Sequence, residues 1–404
     1  MRIVHMVLLG PFTDGFNYQD NLLTKYQRRN GHDVTIITSQ WIWGTDGQFE
    51  RLKKTNYLNE DGVRVIRLPM IGWQNFSRKF KRYRGVYKTL ESCEPDILFI
   101  HGVSYLDIYS AIRYLRKHSN VIAYADNHCD YTNSATNWLS KNILHKVIWR
   151  QCVRALEPYV RKFYGVLPAR VDFLTDVYGL PPERCELLVL GADDDAVEEV
   201  TKPGVRQAIR EKYGIAKDDF LIVTGGKIDR WKRQTLLLMD AVRKITDKKL
   251  KLIVFGSVED EIQAELNQLC DNKRVQFVGW VTPKDTYRYF AAADLVAFPG
   301  RHSTLWEEAA AIGIPLLCKD MPGTHHVDLG GNVRFLKEDS TEEIQNAIEK
   351  LLNNPEEYQQ MKIIATEKGK KAFSYREIAK KAIEQESDRE FSTKICPHTA
   401  DSRA

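Results

Sequence analysis

The segment from residue 293 to residue 315 constrains the fold of this chain more than any other stretch. An apolar run ends at Pro299-Gly300, a polar turn follows, and a helical pattern from Leu305 to Ile312 is closed by Gly313. This order predicts a strand, a loop, a helix and the next strand, which is the repeating unit of a parallel α/β sheet. Ligands bind at the carboxyl ends of such strands, where the following helix offers unpaired N–H groups to an anion.

Glu308 lies in the first turn of that predicted helix, at the edge of the sheet where a ligand is expected. A carboxylate at this position either complements the helix dipole or contacts a bound ligand. The segment by itself leaves both roles open.

Length and composition indicate a globular protein of two domains. With 404 residues the chain is too long for one core, so two domains of roughly 200 residues each are expected. The net charge of +5 favours anionic partners, but no nucleic-acid-binding module is recognised, so nucleic acid is not a predicted partner. The seven cysteines form no C-x-x-C pair, which argues against a disulfide framework or a zinc site. No apolar stretch reaches the about 20 residues of a bilayer span, so a cytoplasmic location is predicted, including the cytoplasmic face of the membrane.

Strands alternate with helical stretches along the chain, which predicts an α/β fold of two Rossmann-like domains with a ligand-binding cleft between them. An acidic segment at 191–204, with a proline and a glycine, marks the linker. The expected domains are 1–195 and 196–375, followed by 376–404 as a helix returning towards the N-terminal domain and a polar tail. The predicted strands are 2–10, 33–39, 63–68, 96–102, 121–126, 165–168, 186–190, 220–224, 250–256, 275–279, 294–298, 314–318 and 333–336.

The segment 225–234, GGKIDRWKRQ, follows a predicted strand and opens a helix. Its glycines, Gly226 among them, let the backbone approach a ligand, and Lys227 and Lys232 can converge on one anion. A diphosphate is the expected guest, and two solvated lysines on a surface loop are the alternative. The segment lacks both G-K-[ST] and a full G-x-G-x-x-G pattern, so neither an NTPase nor a dehydrogenase is predicted.

Three segments in order resemble the nucleotide-binding half of the family 4 glycosyltransferases: GGKIDRWK, FVGWVTPKDTYRYFAAADLVAFPG and EEAAAIGIP. The N-terminal GPFTDGFNYQDNLLTKYQRRNGHDVTIIT is similar to that family's first loop, helix and second strand, and LVLGADDD is similar to its interdomain segment. The resemblance covers nearly the whole chain. It implies a retaining enzyme of the two-domain architecture called GT-B.

The resemblance also implies roles for individual residues. Lys227 and Lys232 match paired basic residues that hold the donor diphosphate and neutralise the leaving group. Glu308 matches the second glutamate of an E-x7-E motif, which hydrogen-bonds the nucleotide ribose. Gly15 matches a first-loop glycine that approaches the phosphates and donor sugar, and His101 matches a histidine that faces the donor sugar and acceptor. A nucleotide sugar, UDP- or GDP-linked, is therefore the expected donor, with no other cofactor and no obligatory metal.

One departure from the family pattern falls in the segment described first. Gly300 occupies the position of the first glutamate of the motif, which in the family touches the donor sugar. His302, Ser303 or Thr304 is expected to replace its contacts, although His302 is alternatively an exposed loop histidine. Glu307 is a further substitute. Otherwise the sugar is held differently or activity is lost.

The sequence YADNHCDYTNS places Asp126, His128 and Asp130 after a predicted strand end. Asp126 is expected to act in catalysis with His101 and Lys232, while His128 and Asp130 are expected to bind the acceptor. Loop capping is the alternative for this group, and a metal site is not predicted. The resemblance implies a front-face displacement in which the departing phosphate helps deprotonate the acceptor, so no dedicated protein base is required.

Residues 76–88, FSRKFKRYRGVYK, combine basic and aromatic side chains without an acidic residue. Such a segment, expected to be helical, is predicted to contact a membrane surface, and a solvated helix face is the alternative. Residues 141–163 have a similar basic amphipathic character. The side chains predicted at the membrane are Arg78, Lys79, Lys81, Arg82 and Arg84.

These features predict a glycosyltransferase that moves a sugar from a nucleotide sugar to a glycan or lipid-linked acceptor, in the synthesis of a surface polysaccharide such as a capsule or exopolysaccharide. One alternative is a sugar-nucleotide epimerase of the same fold, which needs no acceptor. Another is a catalytically weak nucleotide-binding subunit of a glycosyltransferase complex, suggested by the missing glutamate.

Overall fold

The computed structural model describes residues 1–44, 48–71, 80–230 and 233–384. The chain divides into two compact units, the first formed by Met1–Val189 with the chain from Arg376, the second by Leu190–Tyr375. The sequence placed this division between 195 and 196. The chain after Arg376 is tied to the first unit, where Lys381 Nζ donates to the carbonyl oxygen of Leu187 at 3.0 Å.

The first unit is built on a mostly parallel sheet. The strands of this unit are β1 Arg2–Val7, β2 Asp33–Ser39, β3 Trp41–Trp43, β4 Phe49–Arg51, β5 Asn56–Leu58, β6 Arg64–Leu68, β7 Ile97–His101, β8 Ile122–Asn127, β9 Lys162–Gly165 and β10 Cys185–Leu187. Of these, β3 and β4 pair antiparallel in a separate two-stranded sheet. The helices of this unit are Gln19–Arg29, Val86–Cys93, Ile108–Lys117, the π-helix Ser140–Trp149, Arg150–Leu156, Pro168–Asp176 and, near the C-terminus, Tyr375–Lys381. The main sheet has the order β10-β9-β8-β7-β1-β2-β6-β5, and β5 runs antiparallel to β6.

The second unit repeats this design with a parallel sheet in the order β13-β12-β11-β14-β15-β16. These strands are β11 Phe220–Gly225, β12 Leu250–Phe255, β13 Val275–Phe277, β14 Leu295–Phe298, β15 Leu316–Lys319 and β16 Val333–Leu336. The helices are Asp194–Val200, Val205–Lys212, Gln234–Lys244, Asp260–Leu269, Pro283–Ala292, Leu305–Ile312, Thr341–Asn353 and Pro355–Ala372. Successive strands spread outward from β11 on one side and from β14 on the other, so the topological switch point lies between them.

The strands of both sheets have nearly continuous apolar sequences, because helices cover both faces of a parallel sheet. β7, with the sequence ILFIH, and β14, with the sequence LVAF, are buried along their whole length. The prediction of two Rossmann-like domains is thereby confirmed. Within the described part of the chain, no helix combines the length and apolar character needed to cross a bilayer.

Two local predictions from the sequence are wrong. The predicted strand 165–168 ends at Gly165, and Pro168 instead begins a helix, where its fixed φ and missing N–H are tolerated. Residues 76–88 were expected to be one helix, but the helix begins at Val86 after Gly85, whose φ is 92°. Lys81 also has a positive φ of 53°, which a helix does not allow.

Gly369 lets the helix Pro355–Ala372 lie directly against the helix Leu305–Ile312. A Cβ built on Gly369 would lie 1.9 Å from the carbonyl oxygen of Ala310. The contact fixes the position of the helix that carries Glu308, because the neighbouring atoms are backbone and cannot rotate away.

Substituting Gly369→Ala is expected to lower the free energy of unfolding by about 1–3 kcal/mol through overpacking, although alanine favours a helix interior by about 1 kcal/mol. Chemical denaturation measures the difference. Gly10→Ala is the matched control, because a Cβ at Gly10 has no neighbour within 4 Å. Unchanged or increased stability of the Gly369 variant would show that the two helices do not pack as described.

Candidate active site

The G-G-K loop after β11 is held by close backbone approach. Gly226 has a φ of 124°, and its N–H donates to the carbonyl oxygen of Phe255 at 3.1 Å. A Cβ built on Gly256 would lie 1.8 Å from the Gly226 carbonyl oxygen, so a side chain at Gly256 would displace the loop. The loop leaves the sheet at the switch point, where open α/β sheets bind ligands.

Lys227 lies on this loop and is paired within the protein. Its Nζ is 3.0 Å from Glu259 Oε1 and 3.4 Å from Asp229 Oδ2. The hydrogen bond to Glu259 raises the pKa of Lys227, so its ammonium is charged at neutral pH. To hold a diphosphate, Lys227 must exchange these carboxylates for phosphate oxygens. Lys232 lies outside the described residues, so convergence of the two lysines stays a prediction.

Glu308 is buried in the first turn of the helix Leu305–Ile312, with 3% of the residue exposed. Its carboxyl forms no hydrogen bond with the described residues. Burial raises the pKa of Glu308 well above its usual value, and the nearby carboxylates of Glu307 and Asp193 raise it further. A carboxyl that no described residue pairs can accept a hydrogen bond from a ligand hydroxyl.

Glu307, the neighbouring residue, is the centre of a buried group that we call the Glu307 cluster. The Nε2 atoms of His302 and His326 each lie 2.8 Å from Glu307 Oε1. Burial alone would favour the neutral acid, but the two histidines lower the pKa of Glu307 to about 2. The carboxylate therefore holds the loop after β14, which carries His302, against the loop after β15, which carries His326.

In the loop 300–304, where Gly300 replaces the glutamate expected from the resemblance, one side chain points into the unit and two others keep hydroxyls that no described residue pairs. His302 has a side chain only 7% exposed and turns towards Glu307, so one of its ring nitrogens is committed inside the unit. The hydroxyls of Ser303 and Thr304 form no hydrogen bond with the described residues. The predicted contact of these three residues with a donor sugar stays a prediction, for which Ser303 and Thr304 offer the uncommitted polar groups.

In the first unit, Asp126 pairs with His101 and His128, and we call these three residues the Asp126 cluster. Asp126 Oδ2 lies 2.8 Å from His101 Nδ1, and Oδ1 lies 3.2 Å from His128 Nε2. The backbone N–H of Gly102 also donates to Oδ1 at 2.7 Å. Burial opposes ionisation, yet His128 and His101 hold the pKa of Asp126 far below its usual value.

A chain of hydrogen bonds behind this cluster sets the charge of His101. His5 Nε2 lies 2.6 Å from Gln27 Oε1, and His5 Nδ1 lies 2.8 Å from His101 Nε2. The Gln27 amide is oriented by its Nε2, which donates to the carbonyl oxygen of Ala379 at 3.5 Å. The atom that faces His5 is therefore the amide oxygen, which accepts a hydrogen bond from His5 Nε2. Burial, and then the charge of His101, lower the pKa of His5 to about 3.

His5 is therefore neutral, with its hydrogen on Nε2, and His101 must donate from Nε2 to the bare Nδ1 of His5. The other nitrogen of His101 lies 2.8 Å from the carboxylate of Asp126, and this arrangement favours a hydrogen on both nitrogens, that is, an imidazolium. Burial opposes this charge, but Asp126 outweighs it and raises the pKa of His101. His101 is thus committed inside the unit, and His128, with 36% of its side chain exposed, is the accessible imidazole.

Asp130, the other predicted acceptor contact, caps its own loop. Its Oδ1 accepts from the N–H of Thr132 at 2.7 Å, and its Oδ2 lies 3.0 Å from Arg170 Nε. Despite burial, the hydrogen bond from Thr132 and the charge of Arg170 lower the pKa of Asp130. The structure therefore favours the capping role over acceptor binding.

A cavity of about 460 Å³ opens beside His128. Its size is within the range of small-ligand sites. Apolar, hydroxyl, amide and imidazole groups share its wall, and none of the described lining residues is lysine, arginine, aspartate or glutamate. The lining residues are Leu9, Ser104, His128, Cys129, Asn133, Ser134, Leu144, His145 and Trp149.

Gly15 is exposed in the loop after β1 and has a φ of 77°. This loop is anchored by the buried Arg67, whose Nη2 donates to the carbonyl oxygen of Phe12 at 3.1 Å. The hydroxyl of Tyr57 donates to Asp14 Oδ2 at 2.6 Å. The loop is thus fixed up to the position of Gly15, whose contact with phosphates stays a prediction.

Each of the two clusters also brings three atoms that can bind a metal within 4.8 Å of one another. In both, the imidazoles already face the carboxylate. The prediction that no metal is required stays a prediction.

Of the residues predicted at the membrane, Lys81, Arg82 and Arg84 lie in the irregular stretch before Val86, and Arg82 and Arg84 are exposed. Arg78 and Lys79 lie outside the described residues. The membrane contact stays a prediction.

Sequence reasoning missed His5, Gln27 and His326. His5 had a usable signal, since a histidine in the middle of the apolar strand RIVHMV must have a buried partner. His326 follows a strand end of the second sheet, where the same rule that selected Glu308 applies. Gln27 lies in an ordinary helix pattern and carried no signal.

Together the fold and these strand-end groups define an α/β protein of two Rossmann-like units, each with polar groups at the carboxyl ends of its strands. Residues 21–196 match the family model described as Glycosyltransferase Family 4, and residues 205–368 match the one described as Glycosyl transferases group 1. The two matches together cover most of the chain. The chain belongs to the family 4 glycosyltransferases of the GT-B fold.

Curated relatives match over part of their length. The N-acetylgalactosamine-N,N'-diacetylbacillosaminyl-diphospho-undecaprenol 4-alpha-N-acetylgalactosaminyltransferase of Campylobacter jejuni is 23% identical over 183 residues, which is 45% of this chain and 47% of that protein. D-inositol 3-phosphate glycosyltransferase 1 of Catenulispora acidiphila is 27% identical over 167 residues, 38% of this chain and 39% of that protein. The chain thus spans about half or less of the length of these relatives.

Solved structures match along nearly the whole chain. Sucrose-phosphate synthase from Thermosynechococcus elongatus has a TM-score of 0.69 at 16% identity, covering 94% of this chain and 96% of that one. The Anabaena protein HepE, solved in complex with UDP, has a TM-score of 0.68 at 15% identity, covering 94% and 98%. At these identities the likeness concerns the fold.

His101 is expected to carry hydrogens on both ring nitrogens at neutral pH, whereas His5 is expected to stay neutral down to a pH near its pKa of about 3. Nitrogen-15 NMR of the histidine side chains distinguishes these states. Asp126→Asn should return His101 to the neutral form, because an imidazolium without its counter-ion is disfavoured by burial.

The matched control is Asp130→Asn, which removes another buried carboxylate of the same loop and should leave the His101 signals unchanged. A neutral His101 in the unaltered protein at pH 7 would contradict the assigned hydrogen-bond chain.

Proposed function

We propose that this protein is a retaining glycosyltransferase that moves a sugar from a nucleotide-sugar donor to a lipid-linked glycan acceptor in surface polysaccharide synthesis. The observation that carries the proposal is Glu308, a buried residue whose carboxyl accepts no hydrogen bond from the described residues, at the helix that follows the switch-point strand β14. Family membership supports the reaction class. The name of the Campylobacter relative, which specifies a diphospho-undecaprenol-linked acceptor, supports the acceptor class.

The donor is held by the second unit. Glu308 accepts hydrogen bonds from the ribose hydroxyls, while the backbone at Gly226 and the ammonium groups of Lys227 and Lys232 bind the diphosphate. Ser303 and Thr304 offer hydroxyls to the sugar in place of the missing glutamate. Positive groups at the diphosphate stabilise the charge that develops as the glycosidic bond breaks.

In the displacement, the bond between the sugar C1 and the diphosphate oxygen breaks while the acceptor oxygen bonds to C1 on the same face. The acceptor proton passes to the departing phosphate. His101 cannot take this proton, because both of its nitrogens already carry hydrogens, which agrees with a reaction that has no protein base. The fixed charge of His101 and Asp126 instead orients His128.

The acceptor glycan is assigned to the cavity beside His128. Its wall of apolar and uncharged polar groups matches a sugar ring, which presents C–H faces and hydroxyls. His128 and Ser104 are within this wall and supply hydrogen-bonding groups.

The transfer is tested by incubating the purified protein with UDP- and GDP-sugars and polyprenyl-diphosphate-linked glycans. Glu308→Ala is expected to weaken UDP or GDP binding roughly tenfold to hundredfold, as the loss of a charge-assisted hydrogen bond predicts. Glu342→Ala, an exposed glutamate in another helix first turn, is the control. Undiminished turnover in the Glu308 variant would refute the site, and donor conversion without acceptor would identify an epimerase instead.

Nucleotide binding is expected to release a proton and to strengthen as pH rises. In the free protein the raised pKa of Glu308 favours the protonated acid, whereas ribose hydroxyls donate to the ionised form and bring that pKa down. Calorimetric titration in buffers of different ionisation enthalpy measures the proton released. Glu308→Gln should abolish the release, and an identical proton count in this variant would assign it to another group.

A further inference from the structure

An apolar stripe runs along the outside of the π-helix Ser140–Trp149 and the turn before it. Its members are Trp138, Leu139, Ile143 and Val147, which are 71%, 57%, 40% and 46% exposed. Leu139, Ile143 and Val147 are each four residues apart, so they lie on neighbouring turns of one face. Four large apolar side chains on one exposed face of a folded chain indicate an interaction surface.

The opposite face of the same helix packs against the core of the first unit, so the exposed stripe is not the face that the core requires. Trp149 is 5% exposed and belongs to the hydrophobic core of the first unit, against which Leu144 packs. Leu144, His145 and Trp149 also line the cavity beside His128. The helix is therefore the wall between that cavity and the outer surface.

The surface around the stripe is basic. From residue 131 to residue 156 the sequence contains no aspartate or glutamate, but it contains Lys141, Lys146, Arg150 and Arg154. Arg154 is paired with Glu157 at 2.8 Å. Lys146 is exposed on this helix, and Arg150 is exposed at the start of the next one.

A second basic stretch adjoins this helix. The rings of Phe80 and Trp149 lie with centroids 5.9 Å apart, so the chain just before the exposed Arg82 and Arg84 contacts this helix. Residues 71–90 also contain no acidic residue.

We propose that the first unit docks on an anionic lipid bilayer through this stripe, with Lys141, Lys146 and Arg150 at the headgroups. The apolar side chains enter the acyl boundary, tryptophan favours the interface, and the basic side chains attract anionic lipid. A protein partner would need acidic groups to match the same surface. Docking on a membrane does not require the proposed transfer reaction. The role of docking rests on the proposed function, because docking would hold the wall of the cavity at the membrane that carries a lipid-linked acceptor.

The test is co-sedimentation of the full chain with vesicles of phosphatidylcholine, with and without phosphatidylglycerol. Binding is expected for the anionic vesicles and is expected to fall as salt rises. The double variant Trp138→Ser with Leu139→Ser should lose at least tenfold in binding, and Lys146→Ala about fivefold. Trp280→Ser is the matched control, since Trp280 is 66% exposed in the second unit, and it should bind like the unaltered protein.

Equal vesicle binding by the double variant, or no binding by the unaltered protein, would overturn the proposal. So would concentration-dependent self-association that the double variant abolishes, because the stripe would then join two copies of this chain. Transfer to a short acceptor without a lipid is measured on the same variants. Loss of vesicle binding with intact transfer supports the docking surface, whereas absent transfer in every variant refutes the proposed function and leaves the docking result standing.

Discussion

A buried carboxylate flanked by two histidines stabilises the candidate site in each unit. Asp126 faces His101 and His128 at the carboxyl end of β8, and Glu307 faces His302 and His326 beside β14 and β15. Removing a carboxylate from water is costly unless it is paired and hydrogen-bonded. Each cluster therefore ties together loops that follow neighbouring strands, and the parallel sheets bring those loops to one edge.

The clusters also determine which groups are left for a ligand. Glu307 is paired with two histidines and is ionised. The adjacent Glu308 is a second buried carboxyl beside that negative charge, and it accepts no hydrogen bond from the described residues. In the first unit, His5 and Asp126 occupy both nitrogens of His101, and the accessible imidazole is His128. Structural pairing thus separates residues that hold the site from residues that can bind substrates.

The sequence predicted the sheets because buried parallel strands are continuous apolar runs, as in β7 and β14. It also predicted that Glu308 and the G-G-K loop follow strand ends, where this fold binds ligands; their contact with a ligand stays a prediction. The sequence could not predict which side chains pair across long distances along the chain. His5 and His101 are 96 residues apart, and the pattern of residues in one segment does not show which side chains of another segment it contacts. The segment 76–88 misled because its periodicity is helical, whereas Gly85 and Lys81 adopt positive φ.

The central claim is that the nucleotide end of the donor binds the second unit at the G-G-K loop and Glu308. Hydrogen–deuterium exchange with and without UDP, repeated with GDP, tests it most directly. The account predicts slower exchange at the amides of residues 225–230 and 301–309, with the amides of the π-helix unchanged. Unchanged exchange at both segments in the presence of a nucleotide that demonstrably binds would contradict it.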